Sequence, residues 1–193
     1  MSRDDPSTRR APGRPRSEQV RQAVLAATEQ LLEERGFGSL TMEGIARRAG
    51  VSKQTVYRWW PSTAEVVLEA LNERASALVG DQDLGSLEAD AREFVRRTVA
   101  GLSGPTARIV AGLMAEAQLD DAFADSFRDG FLARRRQALR LLLERARSRG
   151  QVDADVDIDL LVDLAFGTIW YRLLGRHASL STRFADQLTD ALL

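Results

Sequence analysis

The sequence predicts an all-α protein of about nine helices, with a small N-terminal three-helix unit and a larger helical domain behind it. Three observations predict this. Apolar residues recur every three or four positions along almost the whole chain, the period of an amphipathic helix. Residues 41–60, TMEGIARRAGVSKQTVYRWW, contain two short helical patterns hinged at Gly50-Val51-Ser52. No strand pattern competes: the stretch VDADVDID alternates, but half of it is aspartate, so it reads as an extended linker with Asp157 capping the next helix. That stretch also fails as a calcium loop, which would need glycine where Ile158 stands and glutamate where Leu164 stands. A chain of 193 residues, 44% hydrophobic and 28% charged, can bury one good core and a small satellite.

Taken in order, residues 1–16, MSRDDPSTRRAPGRPR, have the composition of a disordered basic arm, rich in proline and arginine. Arg14 and Arg16 stand at its end, where an extended arginine arm can reach a DNA minor groove, the other reading being a solvated tail with no ordered contact. Ser17 is placed to cap a helix over 17–35, with Val20, Val24, Ala27 and Leu31 as its core stripe and Gly36 as its end. Thr41 caps the next helix, to about Ala49, and Glu43 suits its positive end. Gly50 ends that helix and Val51 turns inward as a plug. Ser52 caps a third helix from Lys53 to about Trp60, and Pro61 ends it. Ile45, Ala46, Ala49, Val56 and Trp60 give the two hinged helices a shared apolar seam. This is the layout of a helix-turn-helix within a domain spanning 17–62.

The seam leaves Lys53, Gln54, Thr55, Tyr57 and Arg58 pointing away from the core. They are a cation, an amide that can pair with adenine, a hydroxyl with a methyl for thymine, a phenol and a guanidinium. Such a set suits a DNA groove, the other reading being the solvated face of a small helix. Charge is divided to match. Residues 1–60 hold 11 basic and 7 acidic residues, and residues 61–193 hold 16 and 21, so the positive field lies at the hinge end although the net charge is -1. Lys53 is the one lysine among 27 basic residues.

The segments LTMEGIARRA and GVSKQTVYRWWPS, with RGFGSLT before them, resemble the DNA-binding region of the TetR family of bacterial transcriptional regulators over about residues 18–70. The resemblance implies that the second hinged helix enters the major groove and that a homodimer binds double-stranded DNA at a palindromic operator. It implies groove roles for Lys53, Gln54, Thr55 and Tyr57, a place for Trp59 beside a phosphate, and a buried Trp60. Thr41, Ser52 and Arg58 complete the expected contact set. Thr63 stands where family members commonly carry a phosphate-binding lysine, so that contact is a hydroxyl hydrogen bond or is absent.

Residues 63–193 read as the effector-binding and dimerisation domain. Helices are expected over 63–79, 87–102, 106–119, 121–149, 157–175 and 181–193, the first leaving the reading head. The helix over 157–175 is apolar around more than half its circumference, more than one packing face requires. Phe166, Ile169, Trp170 and Leu173, with Phe184 and Leu188 of the last helix, are therefore expected to pair two subunits as a four-helix interface, the other reading being the central helix of a monomeric bundle. GTIWYRLLGRHASLS also resembles a C-terminal domain type of the same family. Phe94, Leu113, Met114, Phe123, Phe127 and Phe131 supply an apolar pocket for a small-molecule effector, or plain core.

Other chemistry finds little support. Cysteine is absent, excluding disulfides and thiolate metal sites. No catalytic residue, metal site or cofactor is expected: the lone histidine, His177, follows Arg176 at a helix end, and no nucleophile-base pair or phosphate loop occurs. No apolar run reaches membrane-spanning length and the N-terminus lacks a signal-peptide pattern, so no membrane partner and a cytoplasmic address are expected. The expected function is a sequence-specific transcriptional regulator, a repressor released by a mostly apolar ligand. The alternative is a helical interaction or ligand-binding module without DNA-binding activity.

Overall fold

The computed structural model describes residues 14–76 and 83–193, with side chains at 17–74 and 83–193. The arm over 1–13, the side chains of Arg14 and Arg16, and the expected helix end at 77–79 lie outside those residues. Among the described residues the chain is wholly helical: α1 (Arg14–Arg35), α2 (Met42–Ala49), α3 (Lys53–Tyr57), α4 (Thr63–Ser76), α5 (Leu87–Gly101), α6 (Gly104–Glu116), α7 (Asp121–Phe127), α8 (Ala133–Ser148), α9 (Ile158–Gly175) and α10 (Thr182–Leu192). A π-helical turn, Arg128–Leu132, joins α7 to α8 as one rod, and a 3-10 turn, Phe37–Ser39, follows α1. Among the described residues the rods therefore number nine, as the periodicity predicts.

Several boundaries differ from expectation for local reasons. The first helix starts at Arg14, not Ser17, and Pro15, with its φ already helical, sits in its first turn. The backbone at Arg14 and Arg16 is thus helical, not an extended arm. The third helix ends at Tyr57, because the amides of Trp59 and Trp60 both turn back to the Val56 carbonyl before Pro61. Gly104, at φ 54, opens α6 two residues early, with Pro105 in its first turn. The rod over 121–148 is broken by the π turn, which apolar periodicity does not reveal.

Four apolar clusters hold the rods together. The head is built on Val24 and Leu25 of α1, Ile45 and Ala46 of α2, Val56 of α3 and Trp60, closed by Val66 and Ala70 of α4. A central cluster joins Leu32 of α1 and Val67 and Leu68 of α4 to Val110 and Leu113 of α6 and the phenylalanines of the α7 rod. Two more lie between α5, α8, α9 and α10. Helix α4 therefore has one face in the head's core and another in the larger domain's core. A second joint lies nearby: the Phe37 ring covers Gly112 of α6 so closely that a Cβ there would come within 2.5 Å of its Cδ1.

Candidate functional site

The hinge has the geometry its residues demand. The Thr41 hydroxyl accepts from the Gly44 amide at 3.1 Å, and Ser52 accepts from the Thr55 amide at 3.1 Å, so each helix start is capped. Between them Gly50 takes the left-handed conformation, φ 68 and ψ 29, which allows the reversal without Cβ strain. Val51 packs against the head's core. With Val56 and Trp60 buried, Lys53, Gln54, Tyr57, Arg58 and Trp59 are left on the surface, and Thr55 is half-buried. Tyr57 and Trp59 are 45% and 39% exposed, unusual for side chains of that size and apolarity. The surface is a short polar and aromatic ridge, narrow enough for a major groove. Thr63 sits half-buried at the start of α4, where the Ser62 hydroxyl caps the helix through the Glu65 amide.

Lys53 is not free at this ridge. Its ammonium pairs with the Glu43 carboxylate from the first turn of α2 and lies 5.3 Å from the centre of the Tyr57 ring. That hydrogen bond holds Glu43 below the usual carboxylate range and Lys53 above the usual lysine range. The sequence marks Glu43 only as a helix-dipole residue, because partners ten positions apart on different helices leave no periodic signal. Nor does it mark the joint behind the ridge. The Trp60 indole donates to Glu69 of α4 at 2.6 Å, and Arg21 of α1 bridges Glu69 and Glu73 at 2.5 Å each. The end of the reading helix is thereby fixed to α4 by a charge-assisted network.

The face expected to pair subunits lies elsewhere. Phe166, Ile169, Leu173, Phe184 and Leu188 are all buried within the protomer, and Trp170 is half-buried among three of the clusters. They point inward because α5, α8 and α10 pack on that side of α9. The excess apolarity is real but falls on the opposite side. Leu160, Leu164, Tyr171 and Leu174 are 55%, 49%, 69% and 50% exposed, with exposed Gly167 among them. Spaced four, three, four and three apart, they form a straight stripe along the outer face, a pattern legible in the sequence as a heptad repeat. Arg136–Asp163 and Arg140–Asp159 ion pairs border it on the α8 side.

Of the expected pocket residues, Leu113, Phe123, Phe127 and Phe131 are buried together in the central cluster with Met114 against them. Phe94 is not with them: it meets Phe166 edge-on, ring centres 6.3 Å apart, in the clusters around α9. A cavity of about 100 Å³ lies instead where the two domains meet, between Leu32 of α1, Leu71 and Arg74 of α4, and Ile109 of α6. His177 is exposed, its ring 4.6 Å from that of Tyr171. Among the described residues no helix is long and apolar enough to cross a membrane.

Comparison with known proteins agrees with this geometry. Residues 24–70 match the family described as bacterial regulatory proteins, tetR family, and residues 81–192 match the tetracyclin repressor-like C-terminal domain. The chain is 35% identical to the HTH-type transcriptional regulator YdeS of Bacillus subtilis over 84% of its own length and 82% of that protein's. It superposes on the TetR family transcription regulator SCO0332 with a TM-score of 0.80 and 34% identity, covering 90% of this chain and 96% of that one. The fold is also that of FadR from Bacillus subtilis, solved in complex with stearoyl-CoA, at a TM-score of 0.69 and 14% identity over 89% and 96% of the two chains.

Proposed function

The chain belongs to the TetR family and is a DNA-binding transcriptional regulator, and we propose that it acts as a homodimeric repressor released from a palindromic operator by a small, mostly apolar ligand. The carrying observation is the ridge of Lys53, Gln54, Tyr57, Arg58 and Trp59, held outward by a capped hinge whose apolar side is fully used. Lys53, Gln54 and Thr55, at the start of the reading helix, are proposed to read base edges. Tyr57, Arg58, Trp59 and the hydroxyls of Thr41, Ser52 and Thr63 are proposed to position the backbone. For Arg14 and Arg16, now placed on a helix, the proposal is limited to phosphate attraction.

The outer stripe of α9 is proposed as the dimer face. Its occupant is a second copy of this chain, because the stripe is self-complementary under a two-fold axis and continuous along the helix. Gly167 supports this: a glycine inside a helix costs about 1 kcal/mol relative to alanine, and among the described residues, apart from its own helix's backbone, nothing lies within 4 Å of where its Cβ would be. Close approach of another helix gives it a use. Two heads paired this way must sit about 34 Å apart to read successive turns of one DNA face. Release follows from α4 having a face in both cores: a ligand that repacks the central cluster shifts α4, and Trp60, tied to Glu69, moves with it. The test is a genome-wide footprint followed by gel shifts on the recovered sites. Palindromic sites bound by the dimer and lost on substituting Gln54→Ala support the reading; no sequence-selective site overturns it in favour of a helical module without DNA-binding activity.

A further inference from the structure

We propose that Arg135 is the anion-binding end of the effector site, and that the effector is an apolar carboxylate whose body stacks along the phenylalanines of the α7 rod. This rests on the effector reading above and names its ligand class. Phe123, Phe127 and Phe131 follow one another four residues apart, with ring centres separated by 6.1 and then 5.0 Å. The second pair lies within 16° of parallel. The wider π turn brings residues four apart closer to vertical alignment than an α-helix does, so the rings stack instead of fanning out. Arg135 is the next step of the ladder: its guanidinium carbon lies 3.4 Å from the centre of the Phe131 ring, and Nη1 donates to the Phe131 carbonyl at 3.2 Å.

Half-buried guanidinium groups of this chain meet two kinds of partner: Arg147 and Arg172 donate to the carbonyls of Val156 and Ser179, Arg172 also lying over the Phe184 ring, while others meet carboxylates. Arg21, Arg92 and Arg149, similarly half-buried, each pair with carboxylates. Arg135 has no carboxylate partner among the described residues, and its charged neighbour is Arg134. Burial pushes it down to about 10, with Arg134 adding to the effect, so it stays cationic at neutral pH. A partly desolvated cation without a carboxylate is costly, and the planar guanidinium fork fits a carboxylate edge-on. The apolar ladder beneath it requires that the carboxylate carry a hydrophobic body. The site also touches the transmitting helix: Gly130 of the π turn faces Leu68 and Asn72 of α4, so close that a Cβ would lie 3.9 and 3.6 Å from their side chains. A ligand that displaces the ladder has α4 as its next neighbour.

The test titrates full-length protein, without DNA, with 4-phenylbutanoate and decanoate and with the corresponding alcohols, followed by calorimetry. Saturable binding of at least one acid, about tenfold tighter than its alcohol, is expected. That preference should vanish in Arg135→Gln and survive in Arg134→Gln. Arg135→Lys, which keeps the charge but loses the fork, should retain part of it. Unchanged thermal unfolding of Arg135→Gln establishes that the loss is not a folding defect. Absence of saturable acid binding, or an acid preference that persists in Arg135→Gln, overturns the site. Operator release is measured separately: acid binding that leaves the DNA complex intact preserves this site and defeats the effector reading, whereas release by other ligands without acid binding does the reverse.

Discussion

Truncating Leu164 should separate dimerisation from folding. Leu164 is 49% exposed on the outer stripe of α9 while Phe166, two residues away, is buried on the inner side. Fully burying a leucine contributes about 1.5–3 kcal/mol, so covering its remaining half contributes about 1 kcal/mol per protomer. A two-fold interface contains the residue twice, so Leu164→Ala should weaken the dimer by about 2 kcal/mol, or about thirtyfold in Kd. Leu164→Glu, which sets two carboxylates near the axis, should leave monomers. Sedimentation velocity across a concentration series reads the constant, and thermal unfolding at low concentration should show the protomer unaffected. Phe166→Ala should behave oppositely, costing about 3–5 kcal/mol of fold stability. Gly167→Ala gives a third pattern, a protomer stabilised by about 1 kcal/mol and a looser dimer. The reasoning is refuted if Leu164→Glu remains dimeric at micromolar concentration, or if Leu164→Ala unfolds the protomer as Phe166→Ala does.

Four further outcomes are expected. Lys53→Ala should weaken operator binding, and a salt slope reduced by about 1 with unchanged site preference would place the ammonium on a phosphate, not a base. Glu43→Gln should release Lys53 and raise affinity for non-specific DNA several-fold, read by competition with random duplex; unchanged competition would mean that the ion pair has no effect on DNA binding. Glu69→Ala removes the acceptor shared by Trp60 and Arg21 and should lower stability by about 2 kcal/mol, with Glu69→Gln milder, both measured by urea unfolding. Gly112→Ala drives a methyl into the Phe37 ring and should cost about 1–3 kcal/mol, partly restored by Phe37→Leu; a neutral effect would show the two domains to be loosely joined there.

What the sequence made legible follows from the range of each interaction. The caps at Thr41 and Ser52 and the stop at Gly50 are local, set by residues within a few positions of one another, and the seam of Ile45, Ala46, Val56 and Trp60 shows in the apolar period of each short helix; all appear where the sequence places them. The partners of Lys53 and Trp60 come from other helices and carry no spacing signal, so Glu43 and Glu69 emerge only with the fold. The case of α9 is intermediate. Its apolar excess reveals that two faces must be covered, but which face meets the protomer depends on where α5, α8 and α10 lie. Phe166 and Ile169 interdigitate with the helices that face them in that core. Leu160, Leu164, Tyr171 and Leu174 are of similar size and apolarity yet lie outside, so side-chain size does not separate the two faces. If two copies pair through the outer stripe as proposed, a conformational signal from the central cluster has to pass through α9's inner face, where Leu173 joins that cluster, before it alters the spacing of the two heads.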